Sequence, residues 1–200
     1  MWKLLAGRAL GALPSVTMRI IPRISGAALA VALVLSGCVP TTSPAGPAPR
    51  PSAIPIFATE AEALAAATKA YAAYVRVSDE IFIDGGINAD RLKTVAAGKQ
   101  LKINMEGFAQ ARAKNYRSSG GTTFDRVTLQ SFAPSQKDFF VQIYVCDDVT
   151  LVNVFNSSGE SVVSASRPDR AGYQVTFSYS KKSTHHLLLS DKESWPDLAC

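Results

Sequence analysis

The segment that most restricts what this chain can fold into is a short motif, Leu35-Ser36-Gly37-Cys38, because it marks where the folded part can begin. An apolar run, residues 24–35, ends in this motif, and Arg19 and Arg23 precede the run. A basic region, an apolar region and small residues at a cleavage site are the parts of a secretory signal. A cysteine directly after the cleavage site makes the motif a lipobox. We therefore predict that residues 1–37 are a removed signal peptide and that Cys38 receives lipid.

A transmembrane anchor is the alternative interpretation of the same apolar run. A helix needs about 20 apolar residues to cross a bilayer, and residues 24–35 provide only 12. Translation starts at Met1 or at Met18, and we favour Met18 because it leaves a compact signal. Both starts lead to the same expected location, the extracytoplasmic face of the cell membrane, with the lipid on Cys38 as the contact with the membrane.

The segment after the lipobox predicts a spacer and a nearly neutral mature chain. Residues 38–55 contain six prolines among Thr, Ser, Ala and Gly, a composition that favours an extended, mobile linker. The full chain has 21 basic and 16 acidic residues; the signal holds four of the basic ones and none of the acidic ones. The mature part therefore has 17 basic and 16 acidic residues. Because it has no basic run interleaved with aromatic residues, we expect no nucleic-acid partner.

Residues 56–200 have the size of one ordinary domain and divide into a helical half and a strand half. Apolar residues at helical spacing predict a helix over residues 57–77 that continues towards residue 83, a short helix from residue 88 and a third helix over residues 101–116. The predicted strands are residues 122–132, 139–146, 149–156, 161–165, 173–180 and 185–190. Helices followed by antiparallel strands predict an α+β domain with the helices on one face of a curved sheet.

Several short stretches of the mature domain resemble a known group of proteins. They are Ala61-Glu62-Ala63-Leu64-Ala65-Ala66-Ala67, Tyr71-Ala72-Ala73-Tyr74, Asp84-Gly85-Gly86, Arg117-Ser118, Thr122-Thr123-Phe124, Val145-Cys146-Asp147-Asp148-Val149, Asp169-Arg170, Leu188-Leu189, Trp195 and Cys200. In this order they resemble actinobacterial lipoproteins with an NTF2-like domain, a cystatin-like α+β cone behind a lipobox. The resemblance implies a fold and a location but no reaction, because the group is largely uncharacterised. The pair His185-His186 departs from the pattern, which has an aromatic or aliphatic start of the last strand.

The cysteines predict one disulfide. Once Cys38 is lipidated, Cys146 and Cys200 are left, and outside the cytoplasm such a pair favours a bridge over two reduced, buried thiols. The bridge would tie the last residue of the chain to a predicted strand. We expect no metal site, because neither cysteine has a Cys or His neighbour at ligand spacing, and we expect no cofactor.

Two pairs of neighbouring polar residues are candidates for a chemical role. His185 and His186 point to opposite faces if they lie on a strand, so they cannot share a metal ion. We interpret them as surface imidazoles. Asp147 and Asp148 follow a predicted strand, and we interpret them as a solvated turn rather than as a paired-carboxylate site.

Two classes of function are compatible with these features. The first is a non-catalytic binding or interaction module, held at the membrane by the lipid on Cys38, whose partner is an envelope protein or a small apolar ligand. The alternative is an enzyme of the ketosteroid-isomerase or SnoaL-like kind, which shares the cone fold. That alternative needs Asp125, Asp148 or His186 inside an apolar pocket beside a tyrosine such as Tyr144 or Tyr179. We expect the binding module and assign no catalytic residue.

Overall fold

The computed structural model of the protein describes residues 56–133, 139–182 and 186–200. The predicted signal peptide, Cys38, the proline-rich spacer and His185 lie outside the described residues. The described residues belong to one compact unit, Pro49–Cys200. Its buried core is built from residues of that unit alone, so we expect residues 49–200 to fold by themselves.

The chain order is helical first and stranded second. The helices are α1, Glu60–Ile83; a 3-10 helix, Ala89–Thr94; and α2, Gly98–Ala113. The strands are β1, Arg117–Ser119; β2, Thr123–Ala133; β3, Phe140–Asp148; β4, Asn153–Phe155; β5, Arg170–Tyr179; and β6, Leu187–Ser194. Strands β2, β3, β5 and β6 form an antiparallel sheet in the order β2-β3-β5-β6, and β1 pairs separately with β4.

Helix α1 has clear signals at both of its ends. The hydroxyl of Thr59 accepts the backbone N–H of Glu62 at 3.2 Å, and the carboxylate of Glu62 accepts the N–H of Ala58 at 2.8 Å. This reciprocal capping satisfies backbone donors that have no partner within the helix. Beyond the last turn, Gly85 and Gly86 have φ of 71° and 79°, a backbone conformation that favours glycine and stops the helix.

The helices cover one face of the four-stranded sheet. Helix α1 contacts β2, β3 and β6, and α2 contacts β6. The segment before α2 is held to β6 by two backbone hydrogen bonds, from Ala97 N–H to the Leu189 carbonyl and from Leu189 N–H to the Val95 carbonyl. The protein is thus an α+β domain with a cone-like arrangement, and the fold class predicted from the sequence is confirmed.

Most predicted elements are present, but the segment after β4 differs. The predicted strand over residues 161–165 is wrong: the region contributes only a single bridge, between Ser161 and Phe155. Serine hydroxyls bond the local backbone instead, since Ser161 accepts the N–H of Val163 at 3.4 Å and Ser164 accepts that of Ser166 at 3.2 Å. Such local bonds compete with strand pairing. The predicted strand over residues 149–156 is likewise reduced to β4.

The predicted disulfide is confirmed. Cys146 of β3 is bonded to Cys200, with the two Cα atoms 5.6 Å apart, which is an ordinary separation for this bond. Cys146 is fully buried, and it lies on the face of the sheet opposite the helices because its neighbour Val145 points towards them. Cys200 is therefore fixed covalently to a central strand.

Candidate functional site

The space between the helices and the sheet is occupied by the protein's own side chains. On β3, Val141, Ile143 and Val145 are 0% exposed, and so are Val175 and Phe177 on β5. Alternate residues of a strand share one face, so these side chains form a continuous apolar layer. Helix α1 packs mainly small residues against this layer: Ala63, Ala67, Ala70, Ala73 and Val77. Small side chains let the helix approach the sheet closely, which makes this layer a packed core.

A buried polar cluster lies at one end of this core, next to the apolar layer. Asp147 is 6% exposed and continues the helix-facing side of β3. Its Oδ1 accepts a hydrogen bond from the Tyr71 hydroxyl of α1 at 2.7 Å, and its Oδ2 is 2.5 Å from the Lys192 ammonium of β6. The cluster therefore joins helix α1 to two strands. We call Tyr71, Asp147 and Lys192 the buried triad.

Aromatic rings surround the buried triad. The Lys192 ammonium lies 4.0 Å from the centre of the Tyr173 ring, and the ring of Phe124 meets that of Tyr71 edge-on at 4.9 Å. Burial, and then the charge of Asp147, raise the pKa of the Tyr71 phenol well above its ordinary value. The phenol thus stays protonated and serves as a hydrogen-bond donor to the carboxylate.

The triad is built as an internal ion pair rather than as a ready proton acceptor. A general base must come within hydrogen-bond reach of a substrate proton, whereas the Asp147 carboxylate is almost completely buried and each of its oxygens contacts a side chain of the protein. The interpretation of Asp147 as part of a solvated turn is wrong. Strand β3 runs through Asp148, and the alternation that buries Val145 also places Asp147 under helix α1.

Asp125 and Asp148 lie on the other face of the sheet, where they pair with Arg170. Arg170 donates to Asp148 at 2.7 Å and to Asp125 at 2.6 Å, and also to the carbonyl of Cys200 at 3.0 Å. Hydrogen bonds from Thr150, and then the Arg170 guanidinium, lower the pKa of Asp148. Neither carboxylate lies in the apolar interior, so the arrangement that the enzyme alternative required of them is absent.

The remaining residues of that alternative lie apart from each other. Tyr144 packs against Trp195, with ring centres 5.4 Å apart, on the helix-free face of the sheet. His186 is exposed, as expected for a surface imidazole, and its ring stacks on Tyr179 with the centres 5.9 Å apart. His186 and Tyr179 are therefore brought together, but at the rim of the domain rather than in its interior.

A second partly buried carboxylate, Asp79, lines a groove beside α1. Its oxygens accept the backbone N–H of Thr122 at 2.7 Å and the Thr122 hydroxyl at 3.0 Å. Burial raises the pKa of Asp79, against the opposing effect of these hydrogen bonds. The groove has a volume of about 470 Å³ and runs between α1 and the turn at Gly120 and Gly121. Asp79 anchors that turn to the helix.

A crevice with aromatic walls opens near the start of α1. Its volume is about 330 Å³, and we call it the aromatic crevice. It is lined by Ile56, Phe57, Ala66, Lys69, Ala70, Tyr179 and His186. A shallower groove of about 350 Å³ lies between α1 and α2, at Phe82, Ile103 and Phe108. Neither opening is lined by a member of the buried triad.

Within the described ranges, no group of three or more His, Cys, Asp or Glu residues is arranged to hold a metal ion. No helix among the described residues is long and apolar enough to span a membrane.

Comparisons with known proteins assign no family. No protein-family model matches the chain, and no curated protein matches it. One solved structure that is similar is the intermembrane space region of the chloroplast protein ARC6. The sequence identity is 11% and the TM-score 0.48; the match covers 67% of this chain and 97% of that one.

Proposed function

We propose that this protein is a lipid-anchored component of the cell envelope whose α+β domain is a non-catalytic binding or interaction module. The lipobox at Leu35-Ser36-Gly37-Cys38 and the proline-rich residues 38–55 support the anchor and the spacer. Its partners are the membrane, through the lipid on Cys38, and an envelope protein or a small apolar ligand. The membership of the actinobacterial NTF2-like lipoproteins inferred from the sequence is part of this proposal.

The anchor acts through the burial of acyl chains. Each buried methylene contributes about 0.8 kcal/mol, so a second acyl chain turns marginal, reversible binding into stable attachment. The spacer then sets the reach of the domain. At about 3.1 Å per residue for an extended proline-rich chain, residues 38–55 place the domain within some tens of ångströms of the bilayer surface.

The single observation that carries the binding role is the filled interior. Val141, Ile143 and Phe177 are completely buried, and the carboxylate beside them, Asp147, is engaged by Tyr71 and Lys192. A ketosteroid-isomerase-like reaction needs an apolar pocket that admits substrate to a free base. The openings of the described domain lie instead at its surface, which favours recognition over catalysis.

Metabolic lipid labelling of the full chain tests the anchor. We expect a labelled acyl chain in the wild-type protein and in a Cys146→Ser control, and none in Cys38→Ala, which should also leave the membrane fraction. The two cysteine variants separate lipidation from disulfide loss, because Cys146 is paired with Cys200. Normal labelling of Cys38→Ala would refute the lipobox interpretation.

A further inference from the structure

We propose that the aromatic crevice binds a small organic anion with an apolar body, whose charged group lies at Lys69. This inference rests on the proposed binding function and assigns it a ligand class. The crevice lies where the chain enters α1, at Ile56 and Phe57, and its far wall is the end of β5 at Tyr179. Its volume of about 330 Å³ is at the small end of the range for small-molecule sites.

The walls of the crevice are stabilised by a chain of aromatic contacts. The ring of Phe57 lies 5.9 Å from that of Phe139, which lies 5.5 Å from that of Tyr179, which in turn lies 5.9 Å from that of His186. Phe57 and Phe139 also pack against the main core. Because the rings support one another, the apolar surface is in place before a ligand arrives, and a preformed site loses less entropy on binding.

Lys69 gives the crevice lining a positively charged hydrogen-bond donor. Lys69 is exposed and takes part in no ion pair or hydrogen bond among the residues that the structure describes. The crevice lining contains no Asp or Glu. Lys181 and Lys182 are exposed in the turn that follows β5, close in sequence to Tyr179. The nearby acid of α1, Glu62, already accepts the Ala58 N–H at 2.8 Å.

The apolar walls and the lysine of the crevice together indicate the chemical class of the ligand. Apolar walls favour a ring or an alkyl chain, since burial of apolar surface drives such binding. Lys69 has no partner among the described residues, which favours a carboxylate or sulfonate on that body, because a charge-assisted hydrogen bond is stronger than a neutral one. A ligand without the anion loses the contact with Lys69, and a compact inorganic anion loses the contact with the walls.

Two fluorescent probes with nearly the same rings test the proposal on residues 49–200 with the Cys146–Cys200 bond intact. Anilinonaphthalenesulfonate carries an anion, and N-phenylnaphthylamine does not. We expect both to bind, with Lys69→Gln weakening the sulfonate about threefold or more and leaving the neutral probe unchanged. Ala66→Phe should abolish binding of both probes by filling the crevice.

Lys102→Gln is the matched control, because Lys102 is an exposed lysine of α2 that does not line the crevice; it should change neither affinity. The proposal is overturned if Lys69→Gln weakens both probes equally or neither, if Ala66→Phe leaves binding intact, or if the wild type binds neither probe. The circular dichroism melt of each variant shows whether it is folded. A failure here leaves the lipid-labelling result untouched, so the ligand class and the anchored module can fail separately.

Discussion

Replacement of Lys192 by methionine tests whether the buried triad is a structural ion pair. The Lys192 side chain is 15% exposed and the Asp147 side chain 8%, so Lys192→Met largely keeps the volume but leaves the carboxylate buried beside Tyr71 without its cation. Removing one partner of a buried ion pair destabilises a protein by about 3–5 kcal/mol. For a domain of this size each kcal/mol lowers the melting temperature by about 2–4 °C. We therefore expect a large loss of stability.

Urea unfolding of residues 49–200 measures this loss as a lower midpoint with an unchanged slope. The double variant Lys192→Met/Asp147→Leu should be more stable than Lys192→Met, because no charge stays buried. Its remaining deficit is about 1–3 kcal/mol, from the Tyr71 hydroxyl left without an acceptor. Adding Tyr71→Phe should reduce that deficit. Lys102→Met, at an exposed lysine, is the control and should change stability by less than about 0.5 kcal/mol.

Two results would refute this reasoning. One is a loss below about 1 kcal/mol for Lys192→Met, which would mean that the carboxylate of Asp147 reaches solvent or another donor. The other is additivity, in which the double variant is as unstable as the sum of its single variants. Additive losses would show that Asp147 and Lys192 act independently of each other despite their contact.

Three further changes have defined outcomes. Cys146→Ser opens a loop with a sequence separation of 54 residues. It should lower the free energy of unfolding in urea by about 4 kcal/mol and make the Cys200 thiol reactive. A melting temperature equal to that of the wild type would contradict this. Gly86 has φ 79°, and the Cβ of Gly86→Ala would lie 2.4 Å from the backbone carbonyl oxygen of Phe108, so this variant should have a lower melting temperature. The Cβ of Gly107→Ala would meet nothing within 4 Å, so this variant should be more stable than the wild type by about 0.5–1 kcal/mol. Burial raises the pKa of Asp79, so the folded state binds the proton of this carboxyl more tightly than the unfolded state does. The stability that Asp79 contributes is therefore greatest below the ordinary Asp pKa of about 4, and it decreases as the pH rises through the raised pKa. Asp79→Asn should remove that decrease in urea unfolding measured across this pH range; an unchanged pH profile would contradict it.

The elements that could be predicted from the sequence are those with local signals. The helical spacing of Ala67, Tyr71 and Tyr74, with Thr59 at the start and Gly85 at the end, is a pattern that neighbouring residues determine. The pairing of Cys146 with Cys200 followed from simple counting, because no other cysteine was left after Cys38.

The buried triad could not be predicted because its members are far apart in the sequence. Tyr71 and Asp147 are separated by 76 residues, and Lys192 follows Asp147 after another 45. One feature of the sequence indicated the burial of Asp147: it lies two residues after Val145 on β3, so the two side chains are on the same face of the strand. An aspartate after a strand is typical of a turn, and only the contact with helix α1 decides that the strand continues and that this carboxylate is buried.

The side-chain positions on which the enzyme alternative depends could not be predicted from the sequence either. Asp125 and Asp148 are neighbours of apolar residues in the sequence, but the alternation of β2 and β3 turns both towards Arg170 on the helix-free face. The aromatic crevice could not be predicted from the sequence, since it is lined by Phe57, Lys69 and Tyr179, which come from separate parts of the chain.

Methyl NMR of residues 49–200 tests the central claim, a filled interior with recognition at the surface, most directly. The methyl groups of Ile143, Val145 and Val175 report on the interior, and that of Ala66 reports on the aromatic crevice. During titration with a steroid enone, the kind of substrate that the enzyme alternative requires, the account predicts unchanged interior resonances. Saturable shifts of the interior methyl groups, larger than those at the surface, would contradict it and would indicate a pocket that opens beside the buried triad.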